Sequence, residues 1–299
     1  MAFVTFYFSE TRAKEKIGVF SGTPTWGVLE LTRNCNLGCR WCYASSQHKA
    51  DDETMSKDKA FKVVDILADS GIRQISITGG EPTLVTYLPE LVERITSRGM
   101  IANLNTNGYA VSRHLTKALA QVGLNQVLTN IESSIPAVHD AVRDRKGSHK
   151  NVLKAIEYFK EEGIKIVVQT VVTTENAERI PAIAEFVATL GVNSYRLWDV
   201  VGCEEIYPKN WVELLDQYAD VLIGYGAKSI ISYDPIWPTK DLSIPVTHVS
   251  CPIEDRMMIF ITPAGDIIES SCNDRTPICN ILDYRRVQDI PYFKRDGKL

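Results

Sequence analysis

Residues 30–45, ELTRNCNLGCRWCYAS, follow the apolar run Gly27-Val28-Leu29. That run reads as a strand through Thr32, and residues 33–45 read as a loop at its end. The loop carries Cys35, Cys39 and Cys42 in a C-x3-C-x2-C spacing. Three thiols on one loop can close on one metal centre. They are one short of the set that holds a four-iron cube, which leaves an iron without a protein ligand and open to chemistry. Zinc is the bland alternative, but zinc wants a fourth Cys or His at comparable spacing. His48 follows a Ser-Ser-Gln loop with no zinc-finger rhythm.

Outward from this loop the pattern is strand then helix, repeated. The expected strands are 27–32, 74–78, 101–105, 126–131, 165–172 and 194–200, with a last short one at 229–233. The expected helices run from Ser56 to Gly71, over 88–98, from Ser112 to Gly123, and over 151–162, 177–190 and 211–225. Ser56 and Ser112 are N-cap residues, and the glycine after each helix suits a C-cap. Six such units imply parallel strands with right-handed crossovers. About 200 residues is short for a full eight-fold barrel of ~250. The expected fold is therefore α/β: a partial (β/α)6 TIM-like barrel over 27–234, after an N-terminal segment 1–26. A small β-hairpin/helix extension, 235–299, completes it. In the extension, 257–262 and 267–269 flank the turn Pro263-Ala264-Gly265-Asp266 as a hairpin, and Asp283 is read as the cap of a final short helix.

Hydrophobic residues make up 44% of the 299 and charged residues 23%, as in an ordinary soluble protein. A net charge of -4 with no long basic run argues against a nucleic-acid partner. No apolar stretch approaches the ~18–20 residues of a membrane span. The N-terminus lacks the marks of a signal peptide, so the expected location is cytoplasmic. In a reducing cytosol, clustered thiols are ligands or reactive groups rather than disulfides. Of seven cysteines, six form two clusters, the first triplet and Cys251, Cys272, Cys279, while Cys203 stands alone.

Gly79-Gly80-Glu81-Pro82 directly follows the second strand. Two glycines let backbone approach a ligand, and Glu81 offers an acceptor for an ammonium. The Cys triplet, with Trp41 before its last thiol, together with this GGEP turn resembles the radical S-adenosylmethionine (SAM) superfamily. In that family three thiolates hold a [4Fe-4S] cluster, and the amino and carboxylate groups of SAM chelate the fourth iron. One electron then cleaves SAM to methionine and a 5'-deoxyadenosyl radical. The resemblance implies Cys35, Cys39 and Cys42 as cluster ligands, Trp41 near the adenine, and Gly79, Gly80 and Glu81 at the SAM amino group. Weaker matches add Thr106 in a TNG turn after the third strand, and Asn130 and Glu132 after the fourth, where many members have Ser-x-Asp. Asn130 is read toward the SAM ribose or carboxylate. His139-Asp140-x-x-Arg143 resembles an HD-x-x-R stretch, with Arg143 as a clamp on the SAM carboxylate. The alternative for Arg143 is an exposed loop charge, and His139 is read as structural. Gln169 and residues 196–198 lie on strands five and six, facing SAM or substrate, with Trp198 expected in barrel packing. An external one-electron reductant of flavodoxin or ferredoxin type is implied as a partner.

Cys251, Gly265 and Cys272 resemble the first half of a SPASM or twitch extension, which holds auxiliary Fe–S clusters. Two departures stand out. The interval from Gly265 to Cys272 is long, and Cys279-Asn280-Ile281 stands where the family commonly reads Gly-Asn-Ile. The resemblance implies a second cluster on Cys251, Cys272 and Cys279, with Cys203 or a substrate atom as fourth ligand. The alternative is buried thiols. A further reading makes Cys203 and Cys251 hydrogen-atom donors to a substrate radical.

The functional expectation is hydrogen abstraction from an unactivated C–H of a small sugar- or aminoglycoside-like molecule, ending in epimerisation or oxidation. The alternative is a RiPP-type peptide maturase. About 26 residues precede the first strand, too few for a leader-binding domain, which tilts the expectation to a small molecule or short peptide. An Fe–S electron carrier or a SAM or metal sensor would need neither the GGEP turn nor the barrel.

Overall fold

The computed structural model describes residues 24–46, 53–199, 210, 230–232, 246–248, 258–268 and 275–293. Six strands alternate with helices: β1 (Trp26–Glu30), β2 (Gln74–Thr78), β3 (Ile101–Asn105), β4 (Gln126–Asn130), β5 (Lys165–Val172) and β6 (Ser194–Asp199). The helices are α1 (Lys57–Asp69), α2 (Leu88–Ser97), α3 (Arg113–Gln121), α4 (Pro136–Val142), α5 (Ser148–Glu161) and α6 (Ile180–Thr189). β1 to β6 pair in sequence order, all parallel. The sheet is open rather than closed, as expected of a partial barrel.

The alternation of side chains explains why it holds. Leu29, Ile75, Ile77, Ala102, Leu104, Val127, Ile166 and Val168 point to one face and join the main apolar core under the helices. Each fully buried aliphatic contributes about 1.5–3 kcal/mol. The opposite, inner face carries Ser76, Thr78, Asn103, Asn130, Gln169 and, fully buried, Glu30. Caps hold as read: Ser56 Oγ accepts from Lys59 N–H and Ser112 Oγ accepts from Leu115 N–H.

The hairpin is present as β9 (Met258–Ile261) and β10 (Asp266–Ile268), with β7 (Ile230–Ser232) and β8 (Val246–His248) forming a separate parallel pair. β9 runs parallel to β1 and extends the barrel's sheet at that edge. A further strand, β11 (Pro277–Asn280), was not expected and pairs antiparallel with β10. Its proline occupies the first position of an edge strand, where a missing N–H is tolerated. Val28, Phe260 and Ile268, with Trp26 and Met258, form a second small apolar cluster on the inner face. Asp283 is not a helix cap. Asn280 caps a single 3-10 turn, Ile281–Asp283, which ends at Asp283. The C-terminal segment clasps α1, with Val287 N–H donating to Ser70 Oγ at 2.8 Å and Gln288 Nε2 to Ser70 O at 2.8 Å.

α4 was not anticipated either; it is seven residues long, too short for a periodic signal. The expected helix 211–225, most of the N-terminal segment, and Cys203, Cys251 and Cys272 lie outside the described residues. No helix among the described residues is long and apolar enough to cross a membrane.

Candidate active site

The turns after β1, β2, β3 and β4 all sit at the C-terminal edge of the sheet, where barrels of this type build their sites. The Cys loop follows β1 and is held from several sides. Thr32 bridges to Thr54, Arg33 pairs with Glu53 at 3.1 Å, Asn34 N–H donates to Thr32 Oγ1 at 3.0 Å, and Gly38 N–H donates to Arg143 O at 3.0 Å. Arg40 pairs with Glu175 in the loop after β5.

The GGEP turn presses on that loop. Gly80 N–H donates to Thr32 O at 2.6 Å and Glu81 N–H to Asn34 O at 2.8 Å. A Cβ at Gly79 would strike Thr32 O, and one at Gly80 would strike Asn34 O. The close approach that requires these glycines is thus to the Cys loop's own backbone. Glu81, read above as an acceptor for an ammonium, is engaged within the protein. Its carboxylate has no exposed surface and already accepts from Thr83 N–H (3.0 Å), Thr83 Oγ1 (2.6 Å), Thr106 Oγ1 (2.7 Å) and Asn107 N–H (2.7 Å). Three of these donors converge on Oε1 and one on Oε2, so Oε2 keeps a lone-pair position. Burial pushes its pKa up, and these hydrogen bonds pull it back down. Glu81 therefore ties the GGEP turn to the TNG turn. Asn107, which sequence reasoning passed over, reaches from there to Asn36 Oδ1 at 2.8 Å and to Cys35 Sγ at 3.8 Å.

A second network comes from β4, α4 and β5. Gln169 Nε2 donates to Asn130 Oδ1 and Asn130 Nδ2 to Glu132 Oε1, both at 3.1 Å. Arg143 Nη2 donates to the same Glu132 oxygen at 2.7 Å, while its Nη1 donates to Cys39 Sγ at 3.3 Å. Glu132 Oε2 accepts from Val171 N–H at 2.9 Å. Arg143 is 9% exposed and so is not a loop charge in water. Burial works against its charge, but Cys39 and Glu132 outweigh it and raise its pKa.

His139 braces the backbone of this arginine's partner, Glu132, and Asp140 holds the start of α5. His139 Nδ1 accepts from Glu132 N–H at 3.2 Å, and burial with Arg143 nearby lowers its pKa to about 3, so it stays neutral. Asp140 caps α5 from outside, accepting from Gly147 N–H (2.5 Å), His149 N–H (2.8 Å) and Ser148 Oγ (3.1 Å). That remote cap starts α5 three residues before its predicted beginning at 151. Asp140→Ala should cost about 1–2 kcal/mol, the worth of a lost N-cap, with Asp140→Asn losing less; urea melts check both.

Cys35, Cys39 and Cys42 are free and half-buried. Each sulfur has an N–H donor in reach, from Asn107, Arg143 and Ser46 (3.4 Å to Cys42) respectively. Donors of this kind fit anionic thiolate ligands. Burial pushes Cys35 up to about 11 and raises Cys42, so metal binding would release protons here. Among the described residues, no three His, Cys, Asp or Glu gather tightly enough to hold a single metal ion.

Trp41 is half-buried on the same loop. Tyr195 packs into the main core, so Arg196 and Trp198 take inner-face positions on β6, where Trp198 is half-buried. Cys279 is half-buried and packs against the main apolar core, where burial raises its pKa.

A sequence model of the radical SAM superfamily matches residues 29–187, more than half of the chain, and the protein belongs to that superfamily. Members of that superfamily use a [4Fe-4S] cluster and SAM. The chain is 35% identical over 156 residues to Fe-coproporphyrin III synthase of Methanosarcina barkeri, covering 52% of this chain and 39% of that protein. It is 30% identical over 179 residues to PqqA peptide cyclase of Rhodopseudomonas palustris, covering 60% and 48%. It thus spans about half the length, or less, of these curated relatives. The fold is similar to Streptococcus suis SuiB bound to precursor peptide SuiA, with a TM-score of 0.66 at 16% identity, over 93% of this chain and 68% of that one.

Proposed function

We propose that this enzyme modifies a peptide. The observation that carries this reading is the likeness to PqqA peptide cyclase, and it replaces the sugar-like substrate expected above. When bound, the cluster supplies the electron that cleaves SAM and so yields the 5'-deoxyadenosyl radical. The chain's own residues do the rest. Cys35, Cys39 and Cys42 would hold the cluster on a loop fixed by Thr32, Gly80 and Arg143. Arg143 places positive charge beside Cys39 and offsets the buried Glu132. Trp41, Thr106, Asn130 and Gln169 would contact SAM, and binding on the inner face would keep water from the radical. An external one-electron reductant completes the cycle.

The test is anaerobic reconstitution with SAM and dithionite, comparing a peptide encoded beside the gene with glucosamine. The peptide should raise 5'-deoxyadenosine formation and change in mass. Stimulation by glucosamine alone would sink the peptide reading.

The C-terminal thiols belong to the same proposal. Their clustering in the sequence supports a SPASM- or twitch-like second cluster on Cys251, Cys272 and Cys279 with Cys203, and hydrogen return from Cys203 or Cys251. A Cys35→Ala/Cys39→Ala/Cys42→Ala chain is expected to retain iron; a chain holding none removes the second cluster.

A further inference from the structure

Glu30 ends β1 and Arg275 precedes β11, yet the two meet on the inner face. Arg275 Nη2 donates to Glu30 Oε2. The guanidinium lies 5.8 Å from the centroid of the Phe260 ring on β9. Phe260 meets Tyr43 edge-on at 6.4 Å, and the Tyr43 hydroxyl is 2.8 Å from Thr78 Oγ1. Tyr43 directly follows Cys42, so the ion pair stands one aromatic layer from the Cys loop. None of these groups takes part in the networks that fix Arg143 or Glu81.

The pair is incompletely bonded. Glu30 Oε1, Arg275 Nε and Arg275 Nη1 are buried and have no hydrogen-bond partner among the described residues. Buried polar atoms are nearly always partnered, and a buried ion pair is a poor stabiliser compared with apolar packing. Such a pair, left open at the reaction end of the sheet, is suited to a ligand. Arg275 keeps 21% of its side-chain surface exposed while Glu30 keeps none, so a ligand reaches the covered Nη1 and Oε1 atoms only as the Arg275 side chain moves aside.

The charges choose the ligand. Glu30 and Arg275 neutralise each other, so an added carboxylate would bring an unbalanced charge into a buried site. What is open is one acceptor and two donors. A neutral group with an N–H and a C=O directed to the same side matches it, and an extended peptide residue presents such a pair. We propose that the Glu30–Arg275 pair binds the main chain of one extended substrate residue, Glu30 Oε1 accepting that residue's N–H and Arg275 Nη1 donating to its C=O. This rests on the peptide reading above and names the residues that would hold the peptide.

The test is saturation-transfer NMR on the anaerobically reconstituted full chain with SAM, using N-acetyl-trialanine amide and glucosamine as probes. The variant is Glu30→Leu/Arg275→Met, which removes both charges together and leaves neither orphaned. Far-UV circular dichroism and iron content establish that it is folded, and Arg275→Gln serves if the double variant is not. Transfer to the tripeptide should fall about tenfold, the worth of two hydrogen bonds. Unchanged transfer in a folded variant overturns the pair's role and leaves the peptide reading standing. A wild-type chain that takes up no tripeptide, whether or not it binds glucosamine, overturns both.

Discussion

An Arg143→Met chain should lose about 3–5 kcal/mol of stability, the usual cost of leaving one member of a buried ion pair behind. Glu132 has no exposed side-chain surface, and Arg143 is the cation bonded to it, at 2.7 Å. Without the guanidinium, the carboxylate keeps two neutral donors, Asn130 Nδ2 and Val171 N–H. Burial already pushes the Glu132 pKa up, with Arg143 as the main opposing influence. The orphaned acid would therefore escape part of the cost by taking a proton. The double variant Arg143→Met/Glu132→Leu removes both charges and should be more stable than the single one. It should not recover function. Cys39 still lacks its N–H donor, and a displacement of about 1 Å at a reacting centre costs roughly 10²-fold in rate. Denaturant melts and 5'-deoxyadenosine formation separate the two effects. A double variant no more stable than Arg143→Met would show that Glu132 is not the reason Arg143 matters to the fold.

Arg143 also marks where sequence reasoning stops. The β/α units were legible because the strands are short apolar runs and because α1 and α3 carry their own caps: Ser56 and Ser112 bond to residues three positions on. The Cys triplet was legible because its ligands are local in the chain. What could not be read is bonding between distant segments. Arg143 reaches Cys39 across 104 positions and Asn107 reaches Cys35 across 72. Neither contact has a periodic signature, so Arg143 was balanced between a SAM clamp and a surface charge. The bonds from Thr106 and Asn107 to Glu81 were hidden for the same reason: they join turns 25 and 26 positions apart. β11 escaped because Pro277-Ile278-Cys279-Asn280 is too short to alternate convincingly, and its pairing is set by β10. The Glu30–Arg275 pair spans 245 positions and would not be suspected from either end.

Gly80→Ala should be the more damaging change at the site itself, although it adds only one methyl group. The atoms its Cβ would meet are Asn34 O, Asn34 C and Arg33 O, all backbone. A flexible side chain could swing away, but backbone cannot. Either the GGEP turn or the start of the Cys loop must shift by about 1 Å to restore van der Waals spacing. The turn is held by Gly80 N–H on Thr32 O and by the four donors on Glu81, so the loop, whose next residue is Cys35, is the part that gives way. Overpacking of this kind costs about 1–3 kcal/mol, and the displaced thiol should lower both iron content and, by roughly 10²-fold, 5'-deoxyadenosine formation. Gly71→Ala is the control. At φ +81° with nothing within 4 Å of the new Cβ, it costs about 1–2 kcal/mol through backbone strain alone. It lies at the end of α1, away from the thiols, so iron and rate should hold while stability falls. If Gly80→Ala keeps wild-type iron and rate, the contact between the two turns does not set the cluster's position. If Gly71→Ala loses iron equally, the loss reports general destabilisation. Separation of the two variants would mean that the paired glycines are required chiefly because the loop holding the cluster has to lie directly against them.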